Sequence, residues 1–294
     1  MRTFSPILAF LCAILIAGRP CSAENPILRD LLARGIPVSA NQWVRLPQPA
    51  LPHGLSAAAQ RERIEAIAEN RYAWEDLVRR TVVAPFVLKT LDDGVSGPSP
   101  GRRVDLYFVA YGKLDYLGSD EFLNSQFDTA TQDAETASSA RLLKEADLQR
   151  RRLPVPTRPE DPRFVAAEIT LFERVRVSAT TCTIKTRTAD SIVLASILDP
   201  GFANDPEFPD RWWPIVRDAS GHRRLGDPQP YFGLGSYVKA TRLVEPQGAI
   251  FIEYHVAYAE PKEWFNGANL LRSKLPIAAQ TAVRKLRRNL ERAP

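Results

Sequence analysis

The chain contains few of the residues from which metal and redox sites are commonly built: three histidines, three cysteines and one methionine among 294 residues. The histidines lie far apart, and none belongs to an H-E-x-x-H pattern. No cysteine pair has zinc-site spacing, and there is no G-x-x-x-x-G-K-[ST] phosphate loop. The sequence therefore predicts no cofactor, no metal site and no catalytic residue that a motif would identify.

Two local patterns only partly resemble functional motifs. Gly233 to Tyr237 is similar to a nucleophile elbow, but its serine is misplaced and residue 238 is not glycine. We expect these glycines to serve a bulge or a close backbone approach. Four oxygen-bearing residues within positions 204–210 could hold calcium, although they lack EF-hand spacing, and a solvated loop is the alternative.

The N-terminus has the pattern of a secretory signal peptide. Arg2 precedes an apolar run over residues 7–18, and the small residues Cys21 and Ala23 suit cleavage after position 23. Cleavage would leave Cys182 as the single thiol, so no intramolecular disulfide could form. We predict a secreted or periplasmic protein without a stable membrane span, and an uncleaved N-terminal anchor is the alternative.

The charge balance does not favour a nucleic-acid partner. The net charge is +5, and it falls to +3 without the first 23 residues, with both signs interspersed along the chain. Basic residues are concentrated only at the C-terminus, where we interpret them as the solvated face of an amphipathic helix. A contact of that face with anionic lipid or nucleic acid is the alternative. These residues are Arg284, Lys285, Arg287, Arg288 and Arg292.

The rest of the chain reads as one α+β domain. Residues 1–23 are the signal, 24–55 an irregular segment interrupted by prolines, and 56–294 a single domain with a polar insertion at 118–162. Ser56 is a suitable N-cap for an amphipathic helix over residues 56–79. The insertion predicts a long surface loop with a helical middle.

Long alternating segments follow, and the clearest is a hairpin near the end of the chain. Residues 231–244 lead through Glu245-Pro246-Gln247-Gly248 into residues 249–258. Even-numbered positions from Ile250 to Tyr258 share one face, and the other carries Phe251, Glu253, His255 and Ala257. Two half-apolar faces indicate a sheet covered on both sides, or one that lines a cavity.

Two groups of residues are candidates for binding. Glu253 and His255 point to the same side of one strand, where a closed pocket would permit acid–base work; an exposed polar face is the alternative. Aromatic residues in the last third could line an apolar pocket, or they could be packed in the core. The candidate ligand-binding residues are Tyr237, Glu253, His255, Trp264, Phe265 and Trp213.

Residues 164–292 resemble the START-like, helix-grip family. Long antiparallel strands lead to YFGLGSYVKATRLVEPQGAIFIEYHVAYAEPKEWF, and LLRSKLPIAAQTAVRKLRRNL follows as a terminal helix. The resemblance implies a curved antiparallel sheet with a long C-terminal helix packed across it and an apolar cavity between them. An amphipathic helix that covers an apolar sheet face also follows from elementary packing.

These observations favour an exported, soluble protein that binds a lipid-like or other apolar small molecule between the sheet and the C-terminal helix. The alternative is a structural or protein-interaction module of the cell envelope, with a protein partner and no ligand cavity. An enzyme that uses Glu253 and His255 is a third hypothesis.

Overall fold

The computed structural model describes residues 24–39, 41–92, 100–119, 139–158, 160–265 and 270–292. The predicted signal segment lies outside these ranges, as does part of the predicted insertion. No helix within the described residues is both long enough and apolar enough to cross a membrane.

The described helices are short except for the last one. They are α1 (Pro26–Ala33), α2 (Ala57–Ala68), α3 (Trp74–Leu77), α4 (Leu114–Leu117), α5 (Glu145–Arg150) and α6 (Leu270–Arg292). The strands of the main sheet are β3 (Val87–Asp92), β4 (Gly101–Tyr111), β5 (Ser139–Leu142), β6 (Arg163–Leu171), β7 (Val175–Arg187), β8 (Ser191–Leu198), β9 (Arg211–Arg217), β10 (Arg223–Leu225), β11 (Gln229–Pro230), β12 (Leu234–Arg242) and β13 (Ala249–Ala259). A separate pair is formed by β1 (Ile36–Ser39) and β2 (Gln42–Val44).

Neighbouring strands of the main sheet run antiparallel, in the order β10-β9-β7-β8-β12-β13-β4-β3. Among the described residues, β5 and β6 extend the sheet beside β7, and β11 pairs with β9. The predicted hairpin is confirmed as β12 and β13, in which Tyr237 lies opposite His255. The predicted α+β class, an antiparallel sheet with a long C-terminal helix, is confirmed.

Both faces of the central strands are covered. We call the face toward α6 the inner face; there the Arg287 guanidinium lies 5.6 Å from the ring centroid of Phe108 in β4. The opposite, outer face is covered by residues 45–55 together with α2 and α3, and Phe251 belongs to the apolar cluster beneath them. Every β13 residue except Tyr258 is buried, which confirms the prediction of a sheet covered on both sides.

The predicted helix over residues 56–79 is interrupted. Ser56 caps it as expected, because its hydroxyl accepts a hydrogen bond from the Ala59 amide at 3.3 Å. The helix ends at Ala68, since Glu69 and Asn70 take left-handed backbone angles with φ of 52° and 58°. Left-handed residues terminate an α-helix, and α3 is a separate turn.

The last helix also differs from its prediction. It begins at Leu270, as the terminal segment predicted, and Pro276 lies inside it. Arg287, which the sequence placed on the solvated face, is only 2% exposed. Its position four residues after Val283 and three before Leu290 puts it on the buried stripe of the helix.

Part of the predicted surface insertion belongs to the sheet. Within the described residues of the insertion, β5 pairs with β6, and α5 packs Leu148 into a small cluster with Phe164 and Phe202. The insertion therefore adds an edge strand and a satellite core instead of only a loop.

The expected close backbone approach occurs at Gly235. A Cβ atom at this position would lie 2.5 Å from a methyl carbon of Ile36 and 2.6 Å from one of Leu31. We predict that Gly235→Ala lowers the free energy of unfolding by about 1–3 kcal/mol, because α1 and β1 must move away from β12. Urea denaturation measures the change.

The exposed Arg242 in the same strand provides the control. Arg242→Ala should change the unfolding free energy by less than about 0.5 kcal/mol. Equal stability of Gly235→Ala and the wild type would contradict the close packing of the N-terminal region on this strand.

Candidate functional site

The predicted pair Glu253 and His255 lies in a fully buried polar cluster on the outer face. Nε2 of His255 lies 3.3 Å from Oε2 of Glu253. On its other side, Nδ1 lies 2.8 Å from Oδ1 of Asp105. The imidazole is therefore placed between two carboxylates, one from its own strand and one from the neighbouring strand β4.

Strand register explains this convergence. His255 lies opposite both Asp105 in β4 and Tyr237 in β12, so the three side chains meet on one face. The Tyr237 ring lies 4.5 Å from the imidazole, centroid to centroid. Arg103, two residues before Asp105, completes the group with its Nε 3.1 Å from Oδ2 of that carboxylate.

Side chains of this cluster and its neighbours bind residues 45–52, which we call the proline-rich strap, to the outer face of the sheet. Its prolines cannot donate backbone hydrogen bonds, and side chains of the sheet bind its peptide groups instead. The Tyr237 hydroxyl donates to the Pro47 carbonyl at 2.9 Å, and the Ala50 amide donates to Glu253 Oε2 at 2.7 Å. Lys239 donates from Nζ to the carbonyl of Leu51.

Burial is the largest single influence on the pKa values of Tyr237, Lys239 and His255. It raises the pKa of Tyr237 and lowers the pKa of Lys239. For His255, burial lowers the pKa, but hydrogen bonds with Asp105 and Glu253 more than offset that effect, so the pKa lies above 6.5. A protonated imidazole between two carboxylates has both nitrogens engaged and no lone pair for a substrate. The described arrangement therefore suits structural pairing better than acid–base catalysis.

The aromatic candidates are elsewhere. Trp264 lies against Trp212, with ring centroids 6.2 Å apart, and Phe265 lies against Trp264 at the same separation. Strand alternation places Trp212 on the inner face and Trp213 on the outer face. The sheet thus separates Trp264 and Phe265 from Tyr237, Glu253 and His255, and the six candidates do not form one site.

In the candidate calcium loop, residues 204–210, arginines and backbone amides bind the carboxylates. Asp205 receives two hydrogen bonds from Arg151, at 2.6 and 2.8 Å, and Glu207 receives another. Asp210 accepts from the Thr180 amide, and burial raises the pKa of its carboxyl to about 8. No cluster of three or more potential metal-binding side chains occurs in the part of the chain that the structure describes.

A groove that the sequence did not predict runs beside α6. Its volume is about 580 Å³, and it lies between that helix and residues 82–86, with Arg71 and Tyr72 at its rim. We call it the helix groove. Two apolar side chains in its wall are largely exposed: Val83 at 61% and Ile277 at 64%.

Arg287 fixes the position of α6 at this groove. Its guanidinium donates to the carbonyl groups of Val109, Ala84 and Pro85 at 2.8, 2.5 and 3.0 Å. Burial lowers its pKa to about 10, which still leaves it protonated at neutral pH. The charge therefore joins the helix, the strand β4 and the segment that forms the other wall of the groove.

No protein-family model matches the sequence, and the search of curated proteins gives no match. Among solved structures, an uncharacterized protein from Rhizobium leguminosarum has a TM-score of 0.33 at 11% identity, over 66% of this chain and 99% of that chain. Human STARD10 has a TM-score of 0.30 at 6% identity, over 84% and 83% of the two chains. Similarities this low do not indicate a shared function.

The buried imidazole generates a prediction about pH. Because the pKa of His255 is raised by folding, its stabilising contribution is complete below pH 6.5 and is lost as the pH rises through the folded-state pKa. Relative to His255→Gln, the wild type should lose about 1.4 kcal/mol of unfolding free energy for each unit by which that pKa exceeds 6.5. Urea denaturation at intervals from pH 6 to 9 measures the difference.

Asp210 requires a control, because its raised pKa gives a dependence of the same sign below about pH 8. The comparison is therefore repeated in an Asp210→Asn background. Parallel pH profiles for the wild type and His255→Gln in both backgrounds would show that folding does not favour the imidazolium.

Proposed function

We propose that the protein binds one amphipathic, lipid-like anion at the C-terminal helix, without converting it chemically. The observation that carries this proposal is the helix groove, with its exposed apolar wall and its arginines. Its volume of about 580 Å³ falls in the usual range for small-molecule pockets, roughly 300–1,000 Å³.

The walls of the groove suit an apolar chain. Val83 and Ile277 project from opposite sides, and Phe86, Leu88 and Val283 lie deeper. Large apolar side chains that are exposed together mark binding surfaces more often than isolated ones do. A bound acyl or prenyl chain would remove both exposed side chains from water.

The charge of the groove selects an anionic head group. The described residues that line it include Arg71, Arg284 and Arg287, and none of them is acidic. Arg71 is paired with Glu69 at 2.5 Å, and Arg287 is bound to backbone carbonyls. Arg284 has no carboxylate within ion-pair distance among the described residues, and it is the cation best suited to a ligand carboxylate or phosphate.

The START-like resemblance implies an apolar cavity between the sheet and the C-terminal helix, and the helix groove lies beside that helix. Leu88 belongs to the inner face of β3 and also lines the helix groove. The likeness supports the place of binding and does not identify the ligand.

A lipid probe tests this function. We expect cis-parinaric acid to bind with one-to-one stoichiometry, and the double variant Val83→Gln, Ile277→Gln to bind it at least tenfold more weakly. Loss of burial at either side chain is worth roughly 1.5–3 kcal/mol, and 1.4 kcal/mol is a factor of ten. Fluorescence titration measures both affinities.

Leu142→Gln changes a half-exposed leucine far from the groove, in β5, and should bind the probe normally. Arg284→Gln should reduce the preference for the acid over its methyl ester. Unchanged affinity in the double variant would remove the proposal. If the probe does not bind and one envelope protein is retained stoichiometrically by the wild type, the interaction-module alternative is supported instead.

We further propose that the protein acts outside the cytoplasm, as secreted or periplasmic protein. The support is the pattern of residues 1–23, namely a basic start, an apolar run and small residues before the expected cleavage. We predict that N-terminal sequencing of the expressed full-length chain, recovered from a secretory host, begins at Glu24. An intact Met1 with the protein in the cytoplasmic fraction would contradict export.

A further inference from the structure

A second groove lies next to the N-terminal elements α1 and β2, and its walls are rich in arginine. It has a volume of about 870 Å³ and is bounded by the end of α1, the strand β2 and the paired residues Leu91 and Arg103 of β3 and β4. We call it the arginine groove. It lies on the outer face of the sheet, since Arg103 shares that face with Asp105, and it is separate from the helix groove.

Three guanidinium groups line this groove, from Arg34, Arg45 and Arg103. None of the described lining residues is acidic. Arg34 and Arg45 are exposed, and neither has a carboxylate within ion-pair distance in the part of the chain that the structure describes. Arg34 and Arg45 therefore carry positive charge that no described carboxylate neutralises, whereas Arg103 is paired with Asp105.

The backbone segments that carry Arg34 and Arg45 are in close contact. Gly35 follows Arg34 with φ of 85° and donates its amide to the Asp30 carbonyl, which ends α1. A Cβ atom on Gly35 would lie 2.2 Å from the Val44 carbonyl oxygen, so α1 and β2 touch at this point. Arg34 and Arg45 thus extend from two backbones in direct contact, which holds their attachment points together.

The third arginine is oriented by the buried cluster. Its Nε binds Asp105, whose other oxygen binds His255. Because this contact uses Nε, the terminal nitrogens of Arg103 are the atoms suited to a ligand. Preorganised guanidinium groups bind carboxylates and phosphates more effectively than mobile ones do.

The groove also has an apolar surface next to its charges. Trp43 is 54% exposed and Leu91 is 41% exposed. An indole that remains largely in water can stack on a flat ring, and guanidinium groups tolerate the same stacking. The combination distinguishes this groove from a simple basic patch.

We propose that the arginine groove is a binding site for a small organic anion with a flat apolar part, held by its carboxylate or phosphate against the arginines and by its ring against Trp43. The concave shape and the volume fit a small molecule, whereas a membrane surface requires side chains that project outward. This site is independent of the lipid-binding function proposed above.

The probe for this site is 2-naphthyl phosphate, with 2-naphthol and inorganic phosphate as partial ligands. We expect saturable one-to-one binding of 2-naphthyl phosphate by calorimetry, and at least tenfold weaker binding of either partial ligand. The double variant Arg34→Gln, Arg45→Gln and the variant Trp43→Ala should each weaken binding at least tenfold. All three side chains are exposed, so the variants should fold.

Arg29→Gln removes one positive charge from the same helix α1 outside the groove, and its affinity should stay within twofold of the wild type. The double variant Val83→Gln, Ile277→Gln should also bind 2-naphthyl phosphate normally, which separates this site from the helix groove. Absence of binding at millimolar probe, or equal losses in Arg29→Gln and the groove variants, would overturn the proposal. Sedimentation with phosphatidylglycerol vesicles that depends on Trp43, without binding of the probe, would overturn it in favour of a membrane contact.

Discussion

The fold depends on a polar surface that has to be buried. The outer face of the central strands carries Asp105, Lys239, Glu253 and His255, and each is at most 3% exposed. Unpaired charges in such a place would be strongly destabilising, so they must pair with one another or with backbone groups. The proline-rich strap supplies part of this pairing through its free amide and carbonyl groups. The strap therefore covers this face of the sheet, although its prolines prevent it from pairing as a strand.

The same principle operates on the inner face with the opposite arrangement. There the central strands β4, β12 and β13 are mainly apolar, and the covering helix carries a buried charge, that of Arg287. No carboxylate within ion-pair distance balances it among the described residues, and backbone carbonyls from β4 and from residues 84–85 solvate the guanidinium. Because those carbonyls belong to two different segments, one side chain sets both the position of the helix and the width of the helix groove.

Alternation and turn chemistry were sufficient to predict the sheet, the final hairpin and the identity of its two faces, because each of these depends on neighbouring residues in sequence. Only part of the cluster around His255 could be predicted. The spacing of Glu253 and His255 puts both on one side of β13, but the contact of Asp105 with His255 depends on the pairing of two strands about 150 residues apart. The helix ends after Ala68 because Glu69 and Asn70 adopt left-handed backbone angles, which these residue types allow but do not require. Arg287 is different: its spacing from Val283 and Leu290 was a signal for the buried stripe, but the prediction followed its charge and placed it on the solvated face.

The pairing of these charged groups within the fold limits which of them are available to bind a ligand. Both ring nitrogens of His255 face carboxyl oxygens of Asp105 and Glu253, and Oε2 of Glu253 also accepts from the strap. Oε1 of Glu253 is buried and has no hydrogen-bond partner among the described residues. The carboxylates near residue 205 are engaged with arginines and amides in the same way.

Among the groove-lining groups, Arg34, Arg45 and Arg284 have no ion-pair partner within the described ranges. Unpaired cations beside exposed apolar side chains complement molecules that are anionic at one end and apolar at the other, and they provide neither a nucleophile nor a base for chemical conversion. This distribution of charge therefore supports the proposed binding of amphipathic anions.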